Sequence, residues 1–209
     1  MPNLLPENSS KKTKGSRNPL PKPRHQFIKS VQSLGYKKII GIDEVGCGAL
    51  AGPVVVAAVE IYLPIIGIND SKLLSAKQRF LLNNLITHNS QQLSIGQASN
   101  AEIDHLGLSV ALELAYQRCL EKITFDLVLT DNFRLPNLPY IKIVKGDQLF
   151  YPVSAASIVA KVFRDQLMCV YDSFHPHYCW HQNAGYGTPA HKKALDTIGP
   201  SLLHRQSFL

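Results

Sequence analysis

The sequence predicts an α/β protein, in which an antiparallel meander of three strands joins a βαβ portion of the same sheet and helices pack on it. Three observations carry this prediction. Short runs that are rich in Val and Ile, or that alternate in polarity, are bounded by Gly, Pro and Asn, as strands are. Longer segments repeat apolar residues at helical spacing. The first three strand signals follow one another quickly, and helices then alternate with two more.

The elements can be assigned in order from these patterns. The strand predictions cover residues 38–44, 53–62, 92–98, 126–130 and 140–144. The helix predictions cover residues 75–88, 100–105, 108–122, 153–172 and 188–197. Ser75 and Thr188 are suited to cap the helices that follow them, and Pro189 suits a first helical position. The sequence shows no internal repeat.

The chain divides into a basic arm and one folded domain, which residues 27–209 are long enough to form. Residues 1–26 are rich in Pro, Ser, Asn and Lys, and we expect them to be disordered. They carry six lysines and arginines against one glutamate, a formal charge of +5 out of +7 for the whole chain. Such an arm suits a nucleic-acid partner, or it merely keeps the protein soluble.

The composition disfavours membrane and secreted classes. No apolar run reaches the ~18 residues that a membrane-spanning helix needs, and the N-terminus has no charged-then-apolar signal peptide. The four cysteines lie far apart without a CxxC pair, which is typical of thiols in a reducing compartment. We therefore expect a cytoplasmic protein without a membrane partner.

An acidic pair at the end of the first strand is the main chemical feature. The apolar run 39–42 leads into Asp43 and Glu44, and a glycine-rich segment follows at 46–52. A buried, unpaired carboxylate loses its hydration, so a divalent cation is the usual compensation, and oxygen ligands suit Mg²⁺ or Mn²⁺. Side chains alternate across a strand, so regular geometry would direct Asp43 and Glu44 to opposite faces. They can contribute to one site only if the strand is bulged or ends there, or if two metal ions lie across the edge of the strand. The alternative is a solvated strand end.

The same arrangement, an apolar strand followed by an acid, recurs at Asp131 and at Asp147. Functional residues tend to collect at strand ends, although each of these acids could instead begin a turn. Three such strand ends side by side would form one acidic pocket. Two Mg²⁺ ions about 4 Å apart in such a pocket would activate a water and stabilise the leaving oxygen of a phosphoryl transfer.

Four strings together resemble the ribonuclease HII family. In chain order they are GIDEVGCG at 41–48, NDSK at 69–72, SAASIVAKV at 154–162 and GYGT at 185–188. The resemblance runs from about residue 38 to Phe208, with the acids between the strings in family order. It implies a ribonuclease H-like fold, which is a mixed five-stranded sheet flanked by helices, with a small C-terminal helical extension from about residue 173.

The resemblance also implies an activity. Members of the family are metal-dependent endonucleases that cut the RNA strand of RNA/DNA hybrids and single ribonucleotides embedded in DNA, which implies a role in ribonucleotide removal, DNA repair and replication. Asp43, Glu44, Asp131 and Asp147 match the family's four catalytic carboxylates, which would hold two Mg²⁺ or Mn²⁺ ions. Water would attack the phosphate on the 5′ side of a ribonucleotide, leaving a 3′-hydroxyl and a 5′-phosphate. We expect a monomer whose partners are such hybrids and ribonucleotide-containing duplexes.

Two of the strings match residues by which members of the family recognise the substrate. Gly46, Cys47 and Gly48 match a glycine-arginine-glycine loop whose backbone contacts the 2′-hydroxyl, the group that distinguishes RNA from DNA. Cys47 departs from the arginine or lysine that is usual there, and a thiol cannot make the same charge-assisted phosphate contact. Asn132 is a second departure, because glycine is the residue that commonly follows the aspartate that Asp131 matches in the family. Tyr186 matches a tyrosine that stacks on the sugar beside the ribonucleotide.

Other contacts to nucleic acid are predicted at Asn69, Ser71, Lys72, Lys145, Ser157 and Lys161. Ser154 and Ser157 would begin a helix, and helix N-termini favour anions. Arg164, like the two lysines at 145 and 161, either offsets phosphate charge or is an ordinary surface cation. His191 would support the site or cap a helix, and Arg205 lies in a string expected to dock the C-terminal tail and able to meet a phosphate.

Other functions fit parts of the pattern. Another nuclease of the same fold, such as a resolvase or an exonuclease, would share the acids, whereas the glycine loop and Tyr186 favour a site that reads a sugar. A non-catalytic nucleic-acid-binding module would keep the basic arm without needing four acids. The His and Cys residues between 175 and 181 have two-residue spacing that could suggest zinc, but aromatic neighbours favour a packed loop.

Overall fold

The computed structural model describes residues 25–63, 65–68, 74–131, 138–142 and 150–209. Several predicted features lie outside this part of the chain. They are the arm over residues 1–24 and the site residues Asn69, Ser71, Lys72, Asn132, Lys145 and Asp147.

A five-stranded mixed sheet forms the centre of the fold. Its strands are β1 (Ile39–Val45), β2 (Val54–Glu60), β3 (Gln92–Ala98), β4 (Leu127–Thr130) and β5 (Tyr140–Lys142). They lie in the order β3-β2-β1-β4-β5. The pairs β1–β2 and β2–β3 are antiparallel, and β1–β4 and β4–β5 are parallel. The predicted meander joined to a parallel portion is therefore confirmed, and each predicted strand is present.

The helices lie on both sides of this sheet. They are α1 (His25–Ser33), α2 (Ala76–Asn89), α3 (Asn100–Leu106), α4 (Leu108–Leu120), α5 (Tyr151–Phe174), α6 (Trp180–Asn183) and α7 (Pro189–Ile198), with 3₁₀ turns at Pro176–Tyr178 and Gln206–Phe208. The predicted caps are confirmed, because Ser75 accepts from the N–H of Gln78 and Thr188 from the N–H of His191. The sequence prediction missed α1, whose first two residues lie inside the arm predicted over residues 1–26, and the four-residue α6.

Two helices cover the sheet at close range because glycines line the contacts. α4 packs on the face that carries Ile40 and Ile42, while α5 packs on the opposite face. A methyl group on Gly41 would lie 2.0 Å from the backbone of Pro152 in α5. A methyl group on Gly96 would lie 2.1 Å from the carbonyl oxygen of Ala115 in α4. Glycine at these two positions lets the helix backbones reach the strands, so helical side chains come near the end of β1.

The C-terminal tail packs against the glycine-rich segment that follows β1. The N–H of Gly52 donates to the carbonyl of Leu203, and the N–H of Arg205 donates to the carbonyl of Leu50. Residues on both sides of this contact are buried, among them Ala51 and His204. The C-terminal tail is thus joined to the segment directly after the strand that carries the acidic pair. Among the described helices, none is both long and apolar enough to cross a membrane.

Candidate active site

Three carboxylates converge where β1 and β4 end. The parallel register pairs Gly41 with Leu129; Asp43 lies two residues after Gly41 in β1, and Asp131 lies two residues after Leu129, directly beyond the end of β4. Both side chains therefore extend from the same edge and on the same face. One oxygen from each of Asp43, Glu44 and Asp131 lies within 4.8 Å of the others. The prediction that these acids share one pocket is confirmed for these three, and Asp147 lies outside the described residues.

The adjacent acids Asp43 and Glu44 approach this pocket from opposite faces of β1. Asp43 lies on the face that α5 covers, and its carboxylate accepts a hydrogen bond from the hydroxyl of Ser157. Glu44 lies on the α4 face, where its Oε2 accepts a hydrogen bond of 2.6 Å from the hydroxyl of Tyr116. β1 is paired with β4 only as far as Gly41, so both side chains are free to turn around the strand edge. The pocket therefore spans the edge of β1. This is one of the arrangements in which two adjacent residues, whose side chains lie on opposite faces of a strand, can contribute to the same site.

The electrostatics of the pocket favour the binding of a cation. Asp43 is only 9% exposed. Burial, followed by the negative charges of Glu44 and Asp131, raises the pKa of Asp43 well above its ordinary value, and the hydrogen bond from Ser157 opposes this. A divalent cation would offset both effects. Its charge would replace the hydration that the carboxylate loses on burial, and it would neutralise the repulsion between the three carboxylates. The donor set consists of carboxylate oxygens, which suits a hard ion such as Mg²⁺ or Mn²⁺.

The glycine loop lies directly beyond the acids. Gly46 has φ +93°, and a methyl group there would lie 2.3 Å from Nε of Arg164, so the fold itself requires glycine. Gly48 is different, because it is exposed and a methyl group there would have no atom within 4 Å. Cys47 is partly buried against the α4 side of the core. Burial, followed by the charge of Glu44, raises the pKa of this thiol to about 11, so Cys47 is uncharged at neutral pH.

Two buried arginines bind carbonyl groups behind this loop, Arg205 those of the loop itself and Arg164 those of neighbouring residues. Arg164 and Arg205 are both 0% exposed. Arg164 donates to the carbonyls of Pro53, Ala51 and Ala184 at 2.9, 3.0 and 2.8 Å. Of the two alternatives for Arg164, the ordinary surface cation is wrong, since α5 carries its guanidinium into the core behind the loop. The tail docks as predicted, but the guanidinium of Arg205 faces the loop backbone instead of solvent.

Tyr186 lies next to two cations beside this loop. Its half-buried ring is 5.5 Å from Nζ of Lys161 and 5.4 Å from Cζ of Arg164, measured to the ring centroid. Lys161 also forms an ion pair of 2.8 Å with Asp165 on the next turn of α5. The ring is thus in contact range of two cations, of which the side chain of Lys161 remains 22% exposed. The predicted sugar-stacking tyrosine and the predicted lysine contact therefore share one surface.

Some predicted details of α5 and the C-terminal region are corrected. α5 begins at Tyr151, so Ser154 and Ser157 lie within the helix and not at its start. Ser154 bonds to the carbonyl of Phe150, and Ser157 faces Asp43. His191 is buried, where its Nε2 contacts Trp180 and His204. Within the described ranges, the three acids form the one group of His, Cys, Asp and Glu with metal-binding spacing, so the zinc alternative gains no support.

Sequence reasoning missed two residues that shape this site. Tyr116 lies on α4, 72 positions from Glu44, and no local pattern relates them. Arg205 lies 158 positions from Cys47, and the sequence indicated tail docking and a possible phosphate contact but not its bonds to the glycine loop. The apolar face of α4 was recognisable from its spacing, but a tyrosine on such a face is ordinarily a core residue.

The comparisons with known proteins agree on one family. The profile of the family described as Ribonuclease HII matches residues 40–209. A protein named Ribonuclease HII from Synechococcus sp. (strain JA-3-3Ab) is 43% identical over 196 residues, which cover 89% of this chain and 88% of that protein. Another of that name, from Lactobacillus johnsonii, is 44% identical over 177 residues, which cover 81% of this chain and 70% of that protein.

Solved structures share the fold at low sequence identity. A chain from the PCNA:RNase HII complex of Archaeoglobus fulgidus superposes with a TM-score of 0.73 at 22% identity, covering 83% of this chain and 96% of that one. A ribonuclease H2 from Pyrococcus horikoshii gives 0.68 at 24% identity, with 82% and 93% covered. Bst-RNase HIII in complex with Mn²⁺ gives 0.59 at 18% identity, with 82% and 67% covered. The predicted ribonuclease H-like fold is confirmed, and with the family profile and the sequence relatives it places this chain in the ribonuclease HII family of metal-dependent endoribonucleases.

Proposed function

We propose that this chain cleaves the RNA strand of RNA/DNA hybrids, and the 5′ side of ribonucleotides embedded in duplex DNA, by two-metal-ion phosphodiester hydrolysis. The products would be a 3′-hydroxyl and a 5′-phosphate. The observation that carries the proposal is the convergence of Asp43, Glu44 and Asp131 within 4.8 Å at the strand ends. Three carboxylates that close together are costly unless cations bind between them, and phosphodiester hydrolysis is the reaction for which such a centre is suited.

Four carboxylates would together coordinate the two ions. Asp43, Glu44 and Asp131, together with Asp147, would supply the oxygen ligands for two Mg²⁺ or Mn²⁺ ions. When bound, the ions activate a water and stabilise the leaving oxygen. Ser157 would keep the carboxylate of Asp43 in position, and Tyr116 would do the same for Glu44. Such partners restrict ligand side chains to one geometry before the metal arrives.

The glycine loop would select the ribonucleotide. Gly48 supports this assignment, because the fold leaves open space where its side chain would be and so places no steric demand for glycine. Glycine there is useful to a ligand backbone or sugar that approaches closely. Gly46 and Cys47 would contribute their backbone, and Tyr186 would stack on the adjacent sugar. The remaining phosphate contacts would come from Asn69, Ser71, Lys72, Lys145 and Lys161, whereas the hydroxyl of Ser157 is engaged by Asp43.

A cleavage map tests the activity directly. The substrate is a DNA duplex with one ribonucleotide in a labelled strand, incubated with Mg²⁺ or Mn²⁺ and with or without a chelator. We expect one cut on the 5′ side of the ribonucleotide, which the chelator abolishes. Cutting that persists in the chelator, or cutting of the all-DNA duplex, would contradict the proposal.

A pair of matched variants tests the assignment of the acids. Asp43→Asn removes one charge from the pocket with little change in shape, and we expect cleavage to be lost while hybrid binding persists. Asp126→Asn is the control, because Asp126 lies just before β4 and accepts from the N–H groups of Lys37 and Lys38 at the opposite end of that strand. Equal activity in both variants would refute the metal assignment of Asp43.

The cellular role follows from this substrate. A cut beside a ribonucleotide in duplex DNA leaves the 3′-hydroxyl from which the ribonucleotide can be replaced, so we propose a role in ribonucleotide removal during DNA repair and replication. We propose that the protein acts in the cytoplasm and as a monomer. The basic arm over residues 1–26, with its formal charge of +5, would add non-specific attraction to the duplex.

A further inference from the structure

The tail residue Arg205 is bound to the loop that is proposed to read the ribonucleotide. Its guanidinium is 0% exposed and reaches three carbonyl groups. Nε donates to Gly52 at 2.9 Å, Nη1 to Cys47 at 3.0 Å and Nη2 to Gly46 at 2.8 Å. A planar fork of five N–H donors suits several carbonyls at once, and a lysine ammonium could not reach them in the same geometry.

These bonds determine the direction of two peptide groups. The described residues contain no cis peptide bond, and in a trans peptide the N–H points opposite to the carbonyl. Because Arg205 draws the carbonyls of Gly46 and Cys47 toward itself, the N–H groups of Cys47 and Gly48 point away from it. Within the part of the chain that the structure describes, neither N–H donates to a backbone carbonyl. Neither N–H is thus engaged by the described backbone, and both point to the side of the loop opposite Arg205.

The side chain of Cys47 makes no charged contact with the substrate, so recognition of the 2′-hydroxyl at this loop depends on these backbone donors. The thiol packs partly into the core and is uncharged at neutral pH. It supplies no cation to a phosphate, so discrimination of a ribose from a deoxyribose at this loop depends on how well the two N–H groups meet the 2′-hydroxyl. A hydroxyl oxygen is recognised only when the donors are aligned with it, since hydrogen bonds weaken steeply with angle.

We propose that Arg205 is a positioning residue for ribonucleotide discrimination, which fixes the peptide planes of the glycine loop so that the N–H groups of Cys47 and Gly48 face the 2′-hydroxyl. The inference rests on the proposed role of that loop. It gives the C-terminal tail a part in substrate selection and not only in stability. Arg205 itself touches neither the substrate nor the metal ions in this scheme.

A separate anchor of the tail provides a matched control. The carboxylate of Asp104 on α3 accepts from the N–H groups of Gln206 and Ser207, both at 2.9 Å, and from the hydroxyl of Ser207 at 2.6 Å. It holds the residues next to Arg205 without touching the glycine loop. Asp104→Ala therefore loosens the tail but keeps the guanidinium, whereas Arg205→Lys keeps the tail anchor but loses the carbonyl clamp.

The experiment measures the ratio of affinities for two duplexes by fluorescence anisotropy in a chelator, where cleavage does not occur. One duplex carries a single ribonucleotide, and the other has deoxyribose at the same position. The ratio is compared at a temperature equally far below each variant's own unfolding midpoint. We expect Arg205→Lys to reduce the ratio about tenfold and to leave affinity for the all-DNA duplex unchanged. Asp104→Ala should keep the wild-type ratio. Arg205→Gln is a second substitution, for use where the lysine variant does not fold.

The outcomes separate the inference from the proposed function. A wild-type protein with no preference between the duplexes would refute the loop's proposed role, and this inference with it. A wild-type preference that Arg205→Lys retains would refute the inference alone. An equal loss in Arg205→Lys and Asp104→Ala would also refute it, because the effect would then come from loosening of the tail and not from the clamp.

Discussion

The hydroxyl of Tyr116 donates a hydrogen bond of 2.6 Å to Oε2 of Glu44, and this bond joins helix α4 to the acidic end of β1. Tyr116 is only 1% exposed. Burial, followed by the charge of Glu44, raises the pKa of Tyr116 well above its ordinary value, so the phenol keeps its proton and remains a donor. Of the two oxygens of Glu44, one is thus committed to α4 while the carboxylate still reaches the other two acids.

We predict that Tyr116→Phe weakens metal binding, because Glu44 would lose the partner that orients it. Partners of this kind are typically worth tenfold or more in metal affinity, so the dissociation constant for Mn²⁺ should rise about tenfold. Electron paramagnetic resonance of free Mn²⁺ measures this without nucleic acid. Tyr178→Phe is the control, since Tyr178 is also buried and donates to the carbonyl of Gly199 in the C-terminal region. Equal Mn²⁺ affinity in the two variants would contradict the prediction.

We predict that Gly48→Ala separates recognition from stability. A methyl group at this position has no neighbour within 4 Å, and Gly48 is not among the glycines with positive φ. Its free energy of unfolding should therefore stay within about 1 kcal/mol of the wild-type value. Its affinity for a duplex that contains one ribonucleotide should fall about tenfold, because the methyl group would block close approach of the sugar. Binding titrations with both duplexes check this, and undiminished ribonucleotide binding would show that the sugar does not approach Gly48.

We predict that Cys47→Arg binds substrate more tightly. An arginine would restore a charge-assisted contact to phosphate that the neutral thiol lacks, and such a bond contributes about 1.5–3 kcal/mol. The Michaelis constant for a ribonucleotide-containing duplex should therefore fall about tenfold. Cys47→Ala serves as the control for loss of the thiol alone. Equal affinity of the arginine variant and the wild-type protein would indicate that the loop acts through its backbone alone.

We predict that acid weakens the packing of the C-terminal region through His204. Burial, followed by the neighbouring His191, lowers the pKa of His204 from its ordinary 6.5 to about 4. The neutral ring accepts from the N–H of Ser201 at Nδ1 and contacts Nε2 of His191 with its own Nε2. Because the unfolded chain takes up this proton near pH 6.5 and the folded chain only near pH 4, the stabilising effect is complete above pH 6.5 and is lost between these values.

The loss should amount to about 3 kcal/mol at most, from about 1.4 kcal/mol for each unit of pKa difference. Urea unfolding of the wild-type protein and His204→Gln at pH 7.5, 6.0 and 4.5 measures it. The wild-type protein should lose more stability across this range than the variant, since the variant has no proton to take up at position 204. Parallel pH dependence in the two proteins would assign the acid sensitivity to other groups.

The order of elements and most of the site were predictable because they follow from local patterns. Strand periodicity located β1 to β4 to within one or two residues, and the capping residues Ser75 and Thr188 are correct because a cap depends only on its own first turn. The acids Asp43 and Asp131 were recognisable because each follows an apolar strand. Helix α1 was missed although Ile28 and Val31 have the i, i+3 spacing of a helix face, because a helix of nine residues is marginal alone and is stabilised by packing of this face against β1 and β4.

By itself, the sequence determined which residues could carry the chemistry: the acids at strand ends, the glycine loop and the family to which they belong. Only the tertiary structure decided that Asp43 and Glu44 serve one pocket from opposite faces of β1, since this depends on β4 pairing only as far as Gly41. It also decided the roles of Tyr116 and Arg205, whose partners lie 72 and 153 or more positions away. Local sequence patterns indicate which face of a helix or strand is buried and which faces solvent. Hydrogen bonds between distant segments, in contrast, form only once folding of the sheet has brought those segments together.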